Sequence, residues 1–162
     1  MTTHFVFLLE VPPVIRYALY PSPFGTLQIG HEDGNVISVS LGESGRSHDP
    51  SPISDLANAQ LQEYFRGNRR SFDFPVKPTG TPFQLTVWEA LRQISYGETR
   101  TYGQIATAIG NPRAARAVGM ACNRNPLWIV IPCHRVVGRD QTLTGYAGGL
   151  HMKQALLTLE RP

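Results

Sequence analysis

Two residues able to do chemistry stand side by side in the stretch IVIPCHRVVGRD, Ile129 to Asp140: Cys133 and His134. A thiolate is a strong nucleophile, and a neighbouring base activates a thiol whose ordinary pKa is about 8.5. Histidine can be that base, usually held in orientation by an acid, and the acids downstream are Asp140 and Glu160. The run LWIVIP before the cysteine has the pattern of a buried strand ended by Pro132. Neighbours on a strand point to opposite faces, so Cys133 and His134 cooperate only if the chain turns there or a water bridges them. The competing reading of a lone cysteine after an apolar run is a small core hydrophobe. Cys122, four residues from Val118 in a helical pattern, fits that reading. Cys133 fits it less well, because His134 and Arg135 follow it and both are expensive to bury unpaired.

The elements around this stretch are marked by helix signals. TPFQ at Thr81 offers an N-cap, a proline at the first helical position and Gln84 in the capping-box place, with Phe83, Val87, Leu91 and Ile94 on one face. TYGQ at Thr101 repeats the capping box and opens a short helix that Gly110 ends. Asn111 and Pro112 then read as the N-cap and first position of a third helix, RAARAVGMAC. The turn Gly110-Asn111-Pro112 between two short helices is the spacing of a helix-turn-helix, whose second helix enters a DNA groove. Arg113 and Arg116 share a face of that helix, and Ala114, Val118 and Ala121 can pack inward. An ordinary helical hairpin with two solvated arginines is the alternative. After the cysteine, TGYAGGL is a glycine-rich loop suited either to lining a pocket or to lying free on the surface. GLHMKQALLTLE closes the chain as a helix with Leu150, Leu156 and Leu159 on its core face and Glu160 at its end.

The first half is sparser in signals. LQIGHEDGNVISVSLG reads as two strands around an Asp33-Gly34 turn. SDLANAQLQEYFRG reads as an amphipathic helix with Leu56, Leu61, Tyr64 and Phe65 near one face and Gly67 as its stop. The breakers in NRRSFDFPVKPTG place a boundary near residues 75–80, dividing the chain into an N-terminal α/β lobe, 1–78, and a C-terminal domain, 79–162.

Composition bounds what these elements can serve. The chain has 162 residues, 41% hydrophobic and 17% charged, which suits a folded protein with a sizeable core. Two cysteines argue against a disulfide framework and for a reducing compartment, read as the cytoplasm. The apolar run FVFLL at residues 5–9 is too short for a signal core or a membrane span. The net charge of +3 is uneven. Residues 1–80 carry six basic groups against eight acids, and residues 81–162 carry nine against four, eight of those nine being arginines. An arginine-rich basic half points toward a polyanion.

The ordered set AARAVG, NP, IPCHRVV and YAGGL resembles the O6-alkylguanine-DNA alkyltransferases over about residues 81–160. The resemblance implies an α+β protein, with a small antiparallel sheet and helix followed by a mostly helical domain containing a helix-turn-helix. It implies a DNA-repair methyltransferase used once per molecule. An alkyl group leaves O6 of guanine in double-stranded DNA, or less readily O4 of thymine, for Cys133. By the same resemblance, His134 is the water-linked base, Glu160 orients it, and Asn125 ties the DNA-binding element to the active segment. Tyr102 donates to the guanine and crowds its 3′ phosphate, and Arg116 fills the gap left by the rotated nucleotide. Gly103, Asn111 and Arg139 fall at DNA-backbone positions, joined by Arg113 from the helix spacing. Trp128, Tyr146, Ala147 and Lys153 fall around the alkylguanine pocket, where the bulk of Trp128 is expected to restrict or stack on larger alkyl groups. The reading calls for no cofactor and no metal, since the first lobe lacks the cysteines of a zinc site. It calls for no membrane partner and for a monomer. The runner-up is a non-catalytic binder of alkylated DNA, but such proteins replace the cysteine.

Overall fold

The computed structural model describes Pro12 and residues 14–162, so the apolar run at residues 5–9 lies outside the described residues. The chain begins with a three-stranded antiparallel meander: β1 (Arg16–Ser22), β2 (Gly25–Glu32) and β3 (Asn35–Leu41). Asp33 and Gly34, at φ 48° and 75°, form the left-handed turn that the sequence announced. β1 carried no such announcement, because Pro21 and Pro23 break its alternation. Its pairing of Ala18 with Ile29 nevertheless buries both side chains.

Helix α1 (Pro52–Phe65) starts two residues before the expected Ser54, on a capping box made by Ser51 and Ser54. Its buried face is Ala57, Gln60, Leu61 and Tyr64, whereas Leu56, expected inside, is 45% exposed. Gly67 ends the helix at φ 78°. The following segment is tied along β3, with the amide of Val36 donating to the Pro75 carbonyl and that of Lys77 to the Val36 carbonyl. Helix α2 (Pro82–Arg92) has the Thr81–Gln84 capping box, and it buries Val87, Trp88 and Leu91. Phe83 lies outside that face at 36% exposure, and Trp88 takes the inner place, its indole N–H donating to the Ala121 carbonyl.

A short parallel pair, β4 (Arg100–Thr101) with β5 (Val136–Val137), links the start of helix α3 (Tyr102–Ala108) to the segment after the cysteine. Thr101 and Gln104 form the second capping box. Helix α4 (Ala115–Asn123) departs from the sequence reading: Asn111 does not cap it. The Asn111 carbonyl instead accepts from the Ala114 amide, which makes Asn111-Pro112-Arg113 a turn. The link between α3 and α4 is therefore longer than three residues, and Arg113 stands before the helix rather than on its face. Ala114, Val118 and Ala121 pack inward as expected.

The run LWIVIP is not a strand. Pro126 and Trp128 exchange backbone bonds with Val39, then Ile129 adopts φ 73° and the Ile131 amide turns back to the Leu127 carbonyl. A β-branched residue in the left-handed region is strained, and burial of Leu127, Ile129 and Ile131 holds it there. Helix α5 (Leu150–Glu160) closes the chain, burying Lys153, Leu156 and Glu160, while Leu150 is 47% exposed because it opens the first turn after the glycine loop. One apolar core runs through both halves, joining Leu27, Ile29, Val39 and Leu61 to Val87, Leu91, Leu127 and Leu156. No helix among the described residues is long and apolar enough to cross a membrane.

Candidate active site

The strained turn at Ile129 ends at Pro132, and Cys133–Arg135 wind into one 3-10 turn, closed by the Arg135 amide on the Pro132 carbonyl. That turn resolves the geometric objection to a cysteine and histidine acting from adjacent positions. Cys133 is 4% exposed. The Asn125 side chain donates to the Ile131 carbonyl at 2.8 Å and to Cys133 Sγ at 3.1 Å, while its oxygen accepts from the Leu127 amide at 2.9 Å. One buried amide thus fixes both arms of the turn and aims a donor at the sulfur. We expect Asn125→Ala to lower stability by about 1–3 kcal/mol, since it strands the buried Leu127 amide, while the Ile131 carbonyl keeps the Cys133 amide. The shift of the urea midpoint measures this, and an unchanged midpoint would mean that the turn holds itself.

His134 is fully buried. Its Nε2 meets Glu160 Oε2 at 2.6 Å, whereas Nδ1 is buried without a partner among the described residues. No hydrogen bond joins the His134 ring to the Cys133 thiol, so a proton passing between them needs a carrier such as water. The Glu160 carboxylate gathers further donors. Arg135 reaches Oε1 through Nε at 2.7 Å and Oε2 through Nη2 at 3.2 Å, the Tyr64 hydroxyl reaches Oε2 at 2.5 Å, and the Gly97 amide reaches Oε1 at 3.4 Å. Arg135 also donates to the Ile94 carbonyl.

These contacts set the charges. Burial alone would raise the pKa of Glu160, but the bonds from His134, Arg135 and Tyr64 outweigh it and hold the group at about 2. Burial lowers the pKa of His134, against the pull of Glu160, and Arg135 and Lys153 lower it further, so the imidazole rests neutral and free to accept a proton. Burial pushes the Cys133 thiol up, opposed by the Asn125 bond and by Lys153. The resting thiol is therefore protonated, and its activation needs a base at the moment of reaction.

Around the sulfur lies a wall built by the loop before α5. Lys153 is buried and donates to the carbonyls of Thr144 and Gly145 at 2.9 and 3.2 Å. The Tyr102 hydroxyl donates to the same Thr144 carbonyl at 3.1 Å. The rings of Trp128 and Tyr146 lie 6.0 Å apart, and the Tyr146 hydroxyl is buried without a partner among the described residues. Ala147 is exposed at the tip of the loop.

The structure brings together two hydrogen-bonded pairs, Cys133 with Asn125 and His134 with Glu160, at consecutive positions of the 3-10 turn, with Lys153 close enough to act on the sulfur and the imidazole. Of the residues read as contacts to DNA, Gly103, Asn111, Arg113, Arg116 and Arg139 form no part of this group and are exposed, whereas Tyr102 is half-buried against the wall at the Thr144 carbonyl. Sequence reasoning left Arg135 without a site role and passed over Tyr64. The cost of burying a guanidinium inside an apolar run is the signal that calls for some partner at Arg135, but it does not say which carboxylate. Tyr64 lies 96 positions from Glu160 and gave no local signal.

Comparison with known proteins places this geometry in context. The family model for 6-O-methylguanine DNA methyltransferase, DNA binding domain, matches residues 82–162, and that for the ribonuclease-like domain of the same protein matches residues 15–78. A methylated-DNA–protein-cysteine methyltransferase of Methanosarcina acetivorans is 48% identical over 89% of this chain and 97% of its own. The constitutive one of Bacillus subtilis is 43% identical over 90% and 94%. The crystal structure of the Mycobacterium tuberculosis O6-methylguanine methyltransferase superposes with a TM-score of 0.84 at 42% identity, over 91% of this chain and 93% of that one. A structure of the Mycobacterium tuberculosis protein in complex with DNA superposes at 0.83, with 44% identity over 90% and 92%.

Proposed function

We propose, because this chain belongs to the 6-O-methylguanine DNA methyltransferase family, that Cys133 is the residue of this methylated-DNA–protein-cysteine methyltransferase that takes the alkyl group. The observation that carries the reading is the Glu160–His134 pair beside a buried thiol that already accepts a hydrogen bond from Asn125. In the reaction the thiol proton passes through a water to His134 Nδ1. The thiolate then attacks the alkyl carbon, forming an S–C bond as the C–O6 bond breaks and its electron pair returns to the guanine. Imidazolium formation is favoured by the carboxylate beside it, and the negative sulfur by Asn125 and Lys153. A thioether has no acidic proton and no ready leaving group, so each molecule reacts once.

A thiol this deep is out of reach of a stacked base, which makes rotation of the alkylated nucleotide out of the duplex part of the reading. We assign the approach to the duplex to α3 and α4 acting as a helix-turn-helix against the minor groove, with Gly103, Asn111, Arg113 and Arg139 at the backbone and Arg116 wedged into the stack. The exposure of all five supports that use. The flipped base then stands against the wall that Trp128 and Tyr146 form, with the backbone at Ala147 near O6. The same pocket admits O4-alkylthymine less readily. Residues 79–162 carry binding and transfer in this reading, and residues 1–78 support them.

The test is to mix the protein with a duplex holding one O6-methylguanine and to weigh its peptides. One methyl group on the Cys133 peptide is expected, and a gel shift with no mass change would indicate a non-catalytic binder. In the same assay Arg116→Ala should slow transfer from the duplex about tenfold or more while changing reaction with the free base by about threefold at most. Equal losses on both substrates would remove Arg116 from base rotation.

A further inference from the structure

The helix α1 tyrosine that reaches the carboxylate behind the base has no place in the reaction as derived so far. Tyr64 is fully buried, its ring set among Phe65, Phe72 and Tyr96. Packing alone would be met by phenylalanine, and a buried hydroxyl is costly unless an acceptor is provided. The acceptor here is Glu160 Oε2, the same oxygen that holds His134 Nε2. Of the groups bound to that carboxylate, His134, Arg135 and Gly97 all lie after residue 79. Tyr64 is the one supplied by the N-terminal lobe among the described residues.

We propose that Tyr64 is a positioning residue for the histidine base. Its hydroxyl competes with the imidazole for one carboxylate oxygen, sets how strongly Glu160 pulls on His134, and so couples the N-terminal lobe to the transfer step. The inference rests on the reading of Cys133 as acceptor and His134 as its base. A donor on Oε2 draws charge away from the side of the carboxylate that faces Nε2. With the hydroxyl present, Glu160 stabilises an imidazolium enough for a transient proton but leaves the resting ring neutral. With it removed, the carboxylate bears more charge toward His134 and the ring holds its proton to higher pH. The other groups acting on this pair are fixed from every side: Arg135 from the 3-10 turn, the Gly97 amide and Tyr96 from the loop after α2, Lys153 from α5, and the Cys133 thiol. None of these groups bonds to the Tyr64 hydroxyl, whose one acceptor among the described residues is Glu160, so a change there reads out at His134.

The measurement is the pH profile of methyl transfer from O6-methylguanine duplex to the intact protein, followed by the mass of the Cys133 peptide. His134 must be neutral to accept the thiol proton, so the rate falls on the acid side as the ring protonates. In Tyr64→Phe that acid limb is expected to move up by about one pH unit, a roughly tenfold loss of rate at a pH on the limb. A tyrosine at position 64 fluorinated beside its hydroxyl is a stronger donor with the same packing, and it should move the limb down. A limb that stays where it is in both, whatever happens to the melting temperature, reduces Tyr64 to a structural residue and overturns the inference. If Tyr64→Phe does not fold, the fluorinated protein decides alone, because its limb either moves down or does not. Wild-type protein that never gains a methyl on Cys133 would overturn the acceptor reading and this inference together. Wild-type transfer with unmoved limbs would overturn this inference alone.

Discussion

Cys133→Ala is expected to abolish methyl transfer while leaving affinity for methylated duplex within about threefold of wild type, because the groups assigned to DNA are exposed and none touches the sulfur. The substitution is small. Asn125 loses its bond to Sγ but keeps the Ile131 carbonyl and the Leu127 amide, so the turn that presents position 133 survives. The other thiol cannot take over. Burial, with the neighbouring Cys133, pushes Cys122 up to about 12, and no hydrogen-bonded histidine or carboxylate stands beside it among the described residues. Peptide masses after incubation with O6-methylguanine duplex, together with a gel titration, check both halves of the expectation. A methyl group on the Cys122 peptide would show that the acceptor had been misassigned. Lost DNA binding would show instead that Cys133 supports the binding surface.

That division between a buried chemical cluster and an exposed binding surface was only partly legible in the sequence. Capping boxes at Thr81 and Thr101 and the Asp33-Gly34 turn are local signals, and each formed where the residues said it would. The α4 cap failed because a local alternative competes: Asn-Pro satisfies a turn as readily as a helix start, and the Ala114 amide chose the Asn111 carbonyl. LWIVIP failed for a different reason. Its hydrophobicity reports burial, which is correct at Leu127, Ile129 and Ile131, but periodicity cannot distinguish a buried strand from a buried turn. Strain at Ile129 is tolerated because burial and the grip of β3 on Pro126 and Trp128, a contact made across the fold, hold the turn. In the cluster itself, Cys133, His134 and Glu160 could be marked from residue type, spacing and family resemblance together. The donors that tune the carboxylate could not. Arg135 needed the position of Glu160, and Tyr64 needed the packing of one lobe on the other.

The carboxylate at the centre of that cluster carries the largest expected stability effect. Glu160→Gln keeps the shape and removes the charge, leaving the Arg135 guanidinium buried opposite a neutral amide. Breaking one side of a buried ion pair costs about 3–5 kcal/mol, which for a chain of this size lowers the melting temperature by about 10 °C. The same change removes the group that stabilises a protonated His134, so transfer should slow by about a hundredfold or more. The pH dependence has a definite sign. The folded-state pKa of Glu160 is lowered from 4.5 to about 2, so the stability it contributes is fully present above about 4.5 and is lost as the pH falls toward 2. The gap between wild type and Glu160→Gln should therefore be wide at neutral pH and narrow in acid. His134 acts in the same direction on the wild type, since burial lowers its pKa below 6.5 and acid must charge a buried ring. Denaturant midpoints at pH 7 and pH 3 test the sign, and equal stability of the two proteins at neutral pH would refute the account. A double variant, Arg135→Met with Glu160→Gln, separates the two effects. With no stranded cation left to bury, it should regain much of the lost stability, yet it should remain as slow as Glu160→Gln because His134 still lacks its carboxylate.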